Sequence, residues 1–161
     1  MDSMVKLYLE RSENELRLAK SLLLLSGNED LKKQLQAEKS DTFYSAVISH
    51  AYYAIFYAAK ALLLTKGIDA KPPEIHKKTI DEFKKAFVDT GILDFELLNI
   101  YKKMIVTADE LLNLFGKEKW KRGHFTYQTL PQANLPFANE SAENARKFLQ
   151  NIFAVINRNH D

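Results

Sequence analysis

The densest set of side chains able to do chemistry is the run Lys117-Glu118-Lys119-Trp120-Lys121-Arg122-Gly123-His124-Phe125-Thr126-Tyr127. Three lysines and an arginine face a single carboxylate, Glu118, with a histidine and the chain's one tryptophan among them. Arginine presents a planar fork of donors that fits phosphate, and aromatic faces stack on bases. Histidine titrates near neutral pH and can take or give a proton there. The pattern points to a phosphate or RNA site, with Arg122 and His124 as the reactive pair and Lys119, Trp120 and Lys121 as ligand contacts. A plainer role fits the same residues. Cations just past a helix engage its last carbonyls, and Trp120 and Tyr127 can pin a long loop to the body of the protein.

Other routes to chemistry are closed or weak. The sequence holds no phosphate-cradling glycine loop, no nucleophile elbow and no His-Glu-x-x-His helix. His50, His76, His124 and His160 lack metal-ligand spacing, so no metal and no cofactor is expected. Carboxylates alternate with lysines along helical stretches, the pattern of solvated faces. With no cysteine there is no disulfide framework and no thiol nucleophile, which fits a reducing, cytoplasmic setting. The net charge is only +2, so an anionic partner must be met by a local patch. His50 is expected to bond a tyrosine or serine in the interior, and His76, among Lys71, Lys77 and Lys78, to sit on a solvated face.

The elements that would position the cationic run read as helices. Residues 3–26 place Val5, Tyr8, Leu9, Leu16, Ala19 and Leu23 near helical spacing, and a polar stretch from Asn28 to Lys39 follows. A second helix over 41–66, capped by Ser40 or Asp41, carries two apolar stripes. One is Phe43, Val47, Ala51, Ala54, Ala58 and Ala61; the other is Ile48, Tyr52, Ile55, Ala59 and Leu62. A helix apolar over most of its circumference is central, with neighbours on several sides. Its Ser45–Leu64 stretch has the length of a membrane span, but His50, Lys60 and several tyrosines make it a bundle core instead. Further helices are expected over 73–89, over 94–115 with Asp94 as cap, and over 140–157, with an irregular stretch from 116 to 139. Gly27, Gly67, Gly91 and Gly116 each follow a helical stretch, where positive φ is cheapest for glycine. With no strand alternation and no repeat, the 161 residues read as one all-α domain, an up-and-down bundle of four to five helices.

The central run Ser49-His50-Ala51-Tyr52-Tyr53-Ala54-Ile55-Phe56-Tyr57-Ala58-Ala59-Lys60-Ala61-Leu62 resembles the Ser-x-Ala-Tyr-Tyr-Ala-x-Phe-x-Ala-Ala-x-Ala-Leu helix of small prokaryotic HEPN-domain proteins. HEPN stands for higher eukaryotes and prokaryotes nucleotide-binding. His76 followed by Phe83, Phe87 and Gly91 is similar to that family's next helix, and Arg122 to Tyr127 before the alanine-containing last helix is similar to its closing segment. The resemblance implies a homodimeric bundle, often encoded with a nucleotidyltransferase antitoxin. Active members are metal-independent RNases in which an arginine and a histidine from each subunit line a cleft at the dimer interface. Their chemistry is attack of a ribose 2′-hydroxyl on its own phosphodiester.

This chain departs from that pattern. Active members place four to six residues between arginine and histidine, and no arginine here has a histidine at that distance. Arg122 and His124 are one residue apart; Lys119 stands at the right distance from His124 but lacks the bidentate fork. Arg122 with four residues before Tyr127 instead resembles an Arg-x-x-x-x-Tyr variant, in which Thr126 replaces the usual acidic residue. In some pairs the antitoxin adenylylates a tyrosine near this motif, which marks Tyr127. Arg122, His124 and Tyr127 are thus the candidate catalytic set, for an endoribonuclease toxin or, alternatively, a non-catalytic nucleotide- or partner-binding dimer.

Overall fold

A computed structural model describes residues 1–112 and 135–158, with the side chains of 110–112 excepted. Among them there is no strand: helices α1 (Ser3–Ser26), α2 (Glu29–Gln34), α3 (Tyr44–Leu64), α4 (Ile75–Phe83), α5 (Phe95–Leu112) and α6 (Leu135–Arg158) make an all-α bundle. Four of the six are long, and α3 is the one the others surround.

α3 owes its place to its alanines. Ala51, Ala54, Ala58, Ala59 and Ala61 are wholly buried beside Val47, Ile48, Ile55 and Leu62, so neighbouring backbones come close without leaving voids. By length and composition α3 could cross a membrane, yet most of it is buried against other helices. Its one lysine, Lys60, is buried and answered: Nζ donates to the Ala70 carbonyl at 3.0 Å and to Asp69 at 3.3 Å. α1 runs antiparallel to α3, since Glu15 meets His50 and Tyr8 meets Tyr57. α5 and α6 are antiparallel as well, joined by Glu96–Lys147 and Lys103–Glu140 ion pairs. Phe83, Tyr101 and Phe148, one each from α4, α5 and α6, meet with ring centroids 5.5–5.6 Å apart.

Local chemistry sets the ends. Asp2 caps α1 by accepting from the Met4 N–H, and Asn28 caps α2 by accepting from the Leu31 N–H. α3 starts at Tyr44, three residues later than expected, and the residue before it, Phe43, has no capping oxygen. Its N–H instead donates to the buried Ser26 hydroxyl, which ties the start of α3 to the end of α1. Neither Ser40 nor Asp41 caps this helix; the Asp41 carboxylate accepts from the Glu38 N–H. α4 begins at Ile75 and continues as a π-helical turn over Lys84–Val88. α6 begins at Leu135, five residues before the expected start, with Pro136 in its first turn where a missing N–H costs nothing. Of the glycines, Gly67 (φ +70°) and Gly91 (φ +74°) take the left-handed conformation expected of them, whereas Gly27 (φ −105°) does not.

Candidate functional site

All six residues singled out in the cationic run, Lys119, Trp120, Lys121, Arg122, His124 and Tyr127, lie outside the described residues. What is described is the ground from which the run departs. α5 ends at Leu112, five residues before Lys117, and α6 starts at Leu135. The antiparallel pairing of these helices puts both anchor points at one end of the bundle.

One turn inside that end lies a polar cluster that the spacing of residues did not disclose. Tyr52 of α3 is fully buried, and its hydroxyl is 2.8 Å from Nδ1 of His76 in the first turn of α4. The His76 ring packs on Phe56 with centroids 4.6 Å apart, with Tyr52 at 5.8 Å and Tyr53 at 6.2 Å. Asp109, in the last turn of α5, is fully buried and close enough for its charge to act on both His76 and Tyr52. Tyr101 completes the group from α5, also without exposure, and among the described residues its hydroxyl has no hydrogen-bond partner. These groups come from three helices and meet only because α3 is surrounded.

Burial governs their titration. Desolvation lowers the His76 pKa below the ordinary histidine value, and the negative charge of Asp109 offsets only part of that. His76 is therefore a neutral imidazole at neutral pH, with its Nδ1 held by the Tyr52 hydroxyl. Desolvation raises Tyr52 well above the usual phenol range, reinforced by Tyr101, Tyr53 and Asp109. Tyr101 is raised by burial alone. Both phenols stay protonated.

The two histidines expected to be bland behave otherwise. His76 is half-buried and bonded, not solvated, because α4 turns it in over Phe56 instead of outward with Lys77 and Lys78. His50 bonds neither tyrosine nor serine: its Nδ1 is 2.5 Å from the Glu15 carboxylate of α1 at a half-exposed edge. A signal for that edge was present. His50, Tyr53, Tyr57 and Lys60 belong to neither apolar stripe of α3 and together make a third face.

With the bundle and its buried polar end in view, comparison with known proteins gives a direct result. The model of the HEPN domain matches residues 5–159. The chain belongs to the HEPN family. Among HEPN-type relatives, the protein of Methanocaldococcus jannaschii named "Putative toxin MJ0142" is 40% identical over 72 residues, which cover 43% of this chain and 47% of that protein. A second from the same organism, "Putative toxin MJ0605", is 30% identical over 113 residues, or 62% of this chain and 74% of the relative. "UPF0332 protein PH1297" of Pyrococcus horikoshii is 51% identical over 71 residues, 43% of this chain and 45% of its own length. The chain thus spans about half the length of the first and third of these relatives, and three quarters of the second. The all-α architecture expected from the HEPN resemblance is the one observed.

Proposed function

We propose that this HEPN protein is the toxin-like half of a two-component module and acts on RNA through the run Lys117–Tyr127. The observation that carries the reading is the HEPN match over residues 5–159, with Arg122 and Tyr127 four residues apart within it. The names of two relatives support the toxin role. In this reading Lys119 and Lys121 neutralise phosphate and Trp120 stacks on a base. A ribose 2′-hydroxyl attacks the adjacent phosphorus, His124 takes its proton, and Arg122 stabilises the charge on the pentacoordinate phosphorane. The bond to the 5′-oxygen then breaks as His124 returns the proton to it, leaving a 2′,3′-cyclic phosphate and a 5′-hydroxyl. The protein works as a homodimer in the cytoplasm, beside a nucleotidyltransferase antitoxin.

A second reading is favoured by one feature: no arginine is followed by a histidine with four to six residues between them. Without that pair the same run binds nucleotide or partner without turnover, and Tyr127 is the residue on which a nucleotidyltransferase would act. Cleavage of end-labelled RNA in EDTA separates the two. The ribonuclease reading expects cyclic-phosphate ends from the wild type, lost in Arg122→Ala and in His124→Ala. RNA bound but left intact rejects that reading and leaves the binding module.

A further inference from the structure

The third face of α3 holds an arrangement that the cationic run does not account for. Tyr57 is stacked between Tyr53 of the same helix, 6.0 Å away at 28°, and Tyr8 of α1, 5.9 Å away at 25°. All three rings are half-buried, so each keeps part of its surface in water. At the His76 end the row continues, since Tyr53 reaches the imidazole at 6.2 Å. At the other end Arg11 lies over the rings, its Cζ 5.9 Å from the centre of Tyr8 and 5.7 Å from that of Tyr57. The Lys60 ammonium adds positive charge 5.0 Å from Tyr8.

Arg11 is the informative residue. It is exposed, and among the described residues no carboxylate lies within ion-pair distance of it and no acceptor within hydrogen-bond distance. The guanidinium lies within cation–π reach of the two rings, and among the described residues its fork of N–H donors meets no acceptor. Glu15, whose charge acts on Tyr53, is engaged by His50 at 2.5 Å. A row of part-exposed tyrosines beside a guanidinium with no ion-pair partner among the described residues matches the two halves of a nucleotide, a flat base and an anionic phosphate.

We propose that Tyr53, Tyr57 and Tyr8, with Arg11 laid across them, form a base-stacking face for single-stranded RNA. The proposal rests on the RNA reading above and adds to it a site on α1 and α3, remote in sequence from Lys117–Tyr127. Stacking tolerates any base, so this face contributes affinity and direction to the strand and little sequence preference.

The test is fluorescence anisotropy of a labelled oligouridylate and of its abasic counterpart, with the full-length protein at low salt. Tyr57→Leu is expected to weaken binding of the oligouridylate about tenfold, the loss of roughly one stacked base. Tyr57→Phe, which keeps the ring, binds like the wild type. The abasic strand binds the wild type about as weakly as the oligouridylate binds Tyr57→Leu. Arg11→Gln, at an exposed position that leaves the helices intact, is expected to lower affinity severalfold and reduce the salt slope by about one. Light scattering is run on each variant. Undiminished binding by both Tyr57→Leu and Arg11→Gln overturns the stacking face while leaving the RNA reading in place, provided Arg122→Ala still loses affinity. A change of Tyr57→Leu from dimer to monomer also overturns it, because the row is then a contact between copies. A wild type that binds neither strand overturns both the face and the reading beneath it.

Discussion

The side of α3 built from Val47, Ala51, Ala54, Ala58 and Ala61 is dry, and it meets its neighbours through atoms that have no better partner elsewhere. The edge built from His50, Tyr53 and Tyr57 is half-exposed and engages Glu15, Tyr8 and Arg11. The two share one helix and one stretch of sequence, yet only the first is wholly buried, while Tyr53 and Tyr57 pack against the core and stay part-exposed. A small apolar side chain on a core helix serves packing, whereas a large aromatic kept partly in water forfeits burial that folding would otherwise use. The difference separates what stabilises this protein from what is open to a ligand.

The comparison can be broken from the dry side first. Phe148→Ala removes the ring shared by Phe83 and Tyr101 and leaves a cavity, so a loss of about 3–5 kcal/mol is expected in urea unfolding. A loss under about 1 kcal/mol would mean that the α4–α5–α6 contact is not part of the core. It can be sharpened at the polar end by pH. Because burial lowers the folded-state pKa of His76, the unfolded chain binds more protons below the ordinary histidine pKa of about 6.5. The contribution of His76 to stability is therefore full above that value and declines as pH falls toward the lowered one. Urea midpoints measured across this window should fall with acid more steeply for wild type than for His76→Gln; equal slopes would place His76 in water. The smallest effect is expected on the surface. Glu96 and Lys147 form an exposed pair between α5 and α6, and Lys147→Ala should change stability by less than about 1 kcal/mol.

Much of the bundle was legible because apolar periodicity and punctuation are local. α1 and the body of α3 were readable from spacing alone, and so was the central position of α3, from stripes too wide for one neighbour. The errors lie where local signals compete. The stretch to 139, Pro136 included, reads as irregular, although proline suits the first turn of a helix and α6 starts at Leu135. Ser40 and Asp41 were read as caps because a side-chain oxygen usually serves, whereas the distant Ser26 hydroxyl takes the Phe43 N–H instead. The Tyr52–His76 contact joins residues 24 apart through the packing of α4 on α3, and no spacing rule encodes that. Tyr53 and Tyr57 pack against the core yet stay part-exposed; their third face was visible in the spacing, but its meaning depended on which helix lies beside it. The run Lys117–Tyr127 was legible as composition and, at Arg122 and Tyr127, as a resemblance to the Arg-x-x-x-x-Tyr variant; it lies outside the described residues.

The π-helical turn at Lys84–Val88 has its own consequence. The Asp89 N–H reaches back five residues to the Lys84 carbonyl, so this stretch takes in one residue more than an α-helical turn would. Phe83 just before it and Phe87 within it remain buried, and Gly91 still closes the segment. Such a turn is where a helix absorbs a single-codon insertion without rotating everything that follows. Relatives one residue shorter between Phe83 and Gly91 should close to a regular turn there and keep the same core partners. A gap placed at this point in an alignment then records a change of pitch and not a change of fold.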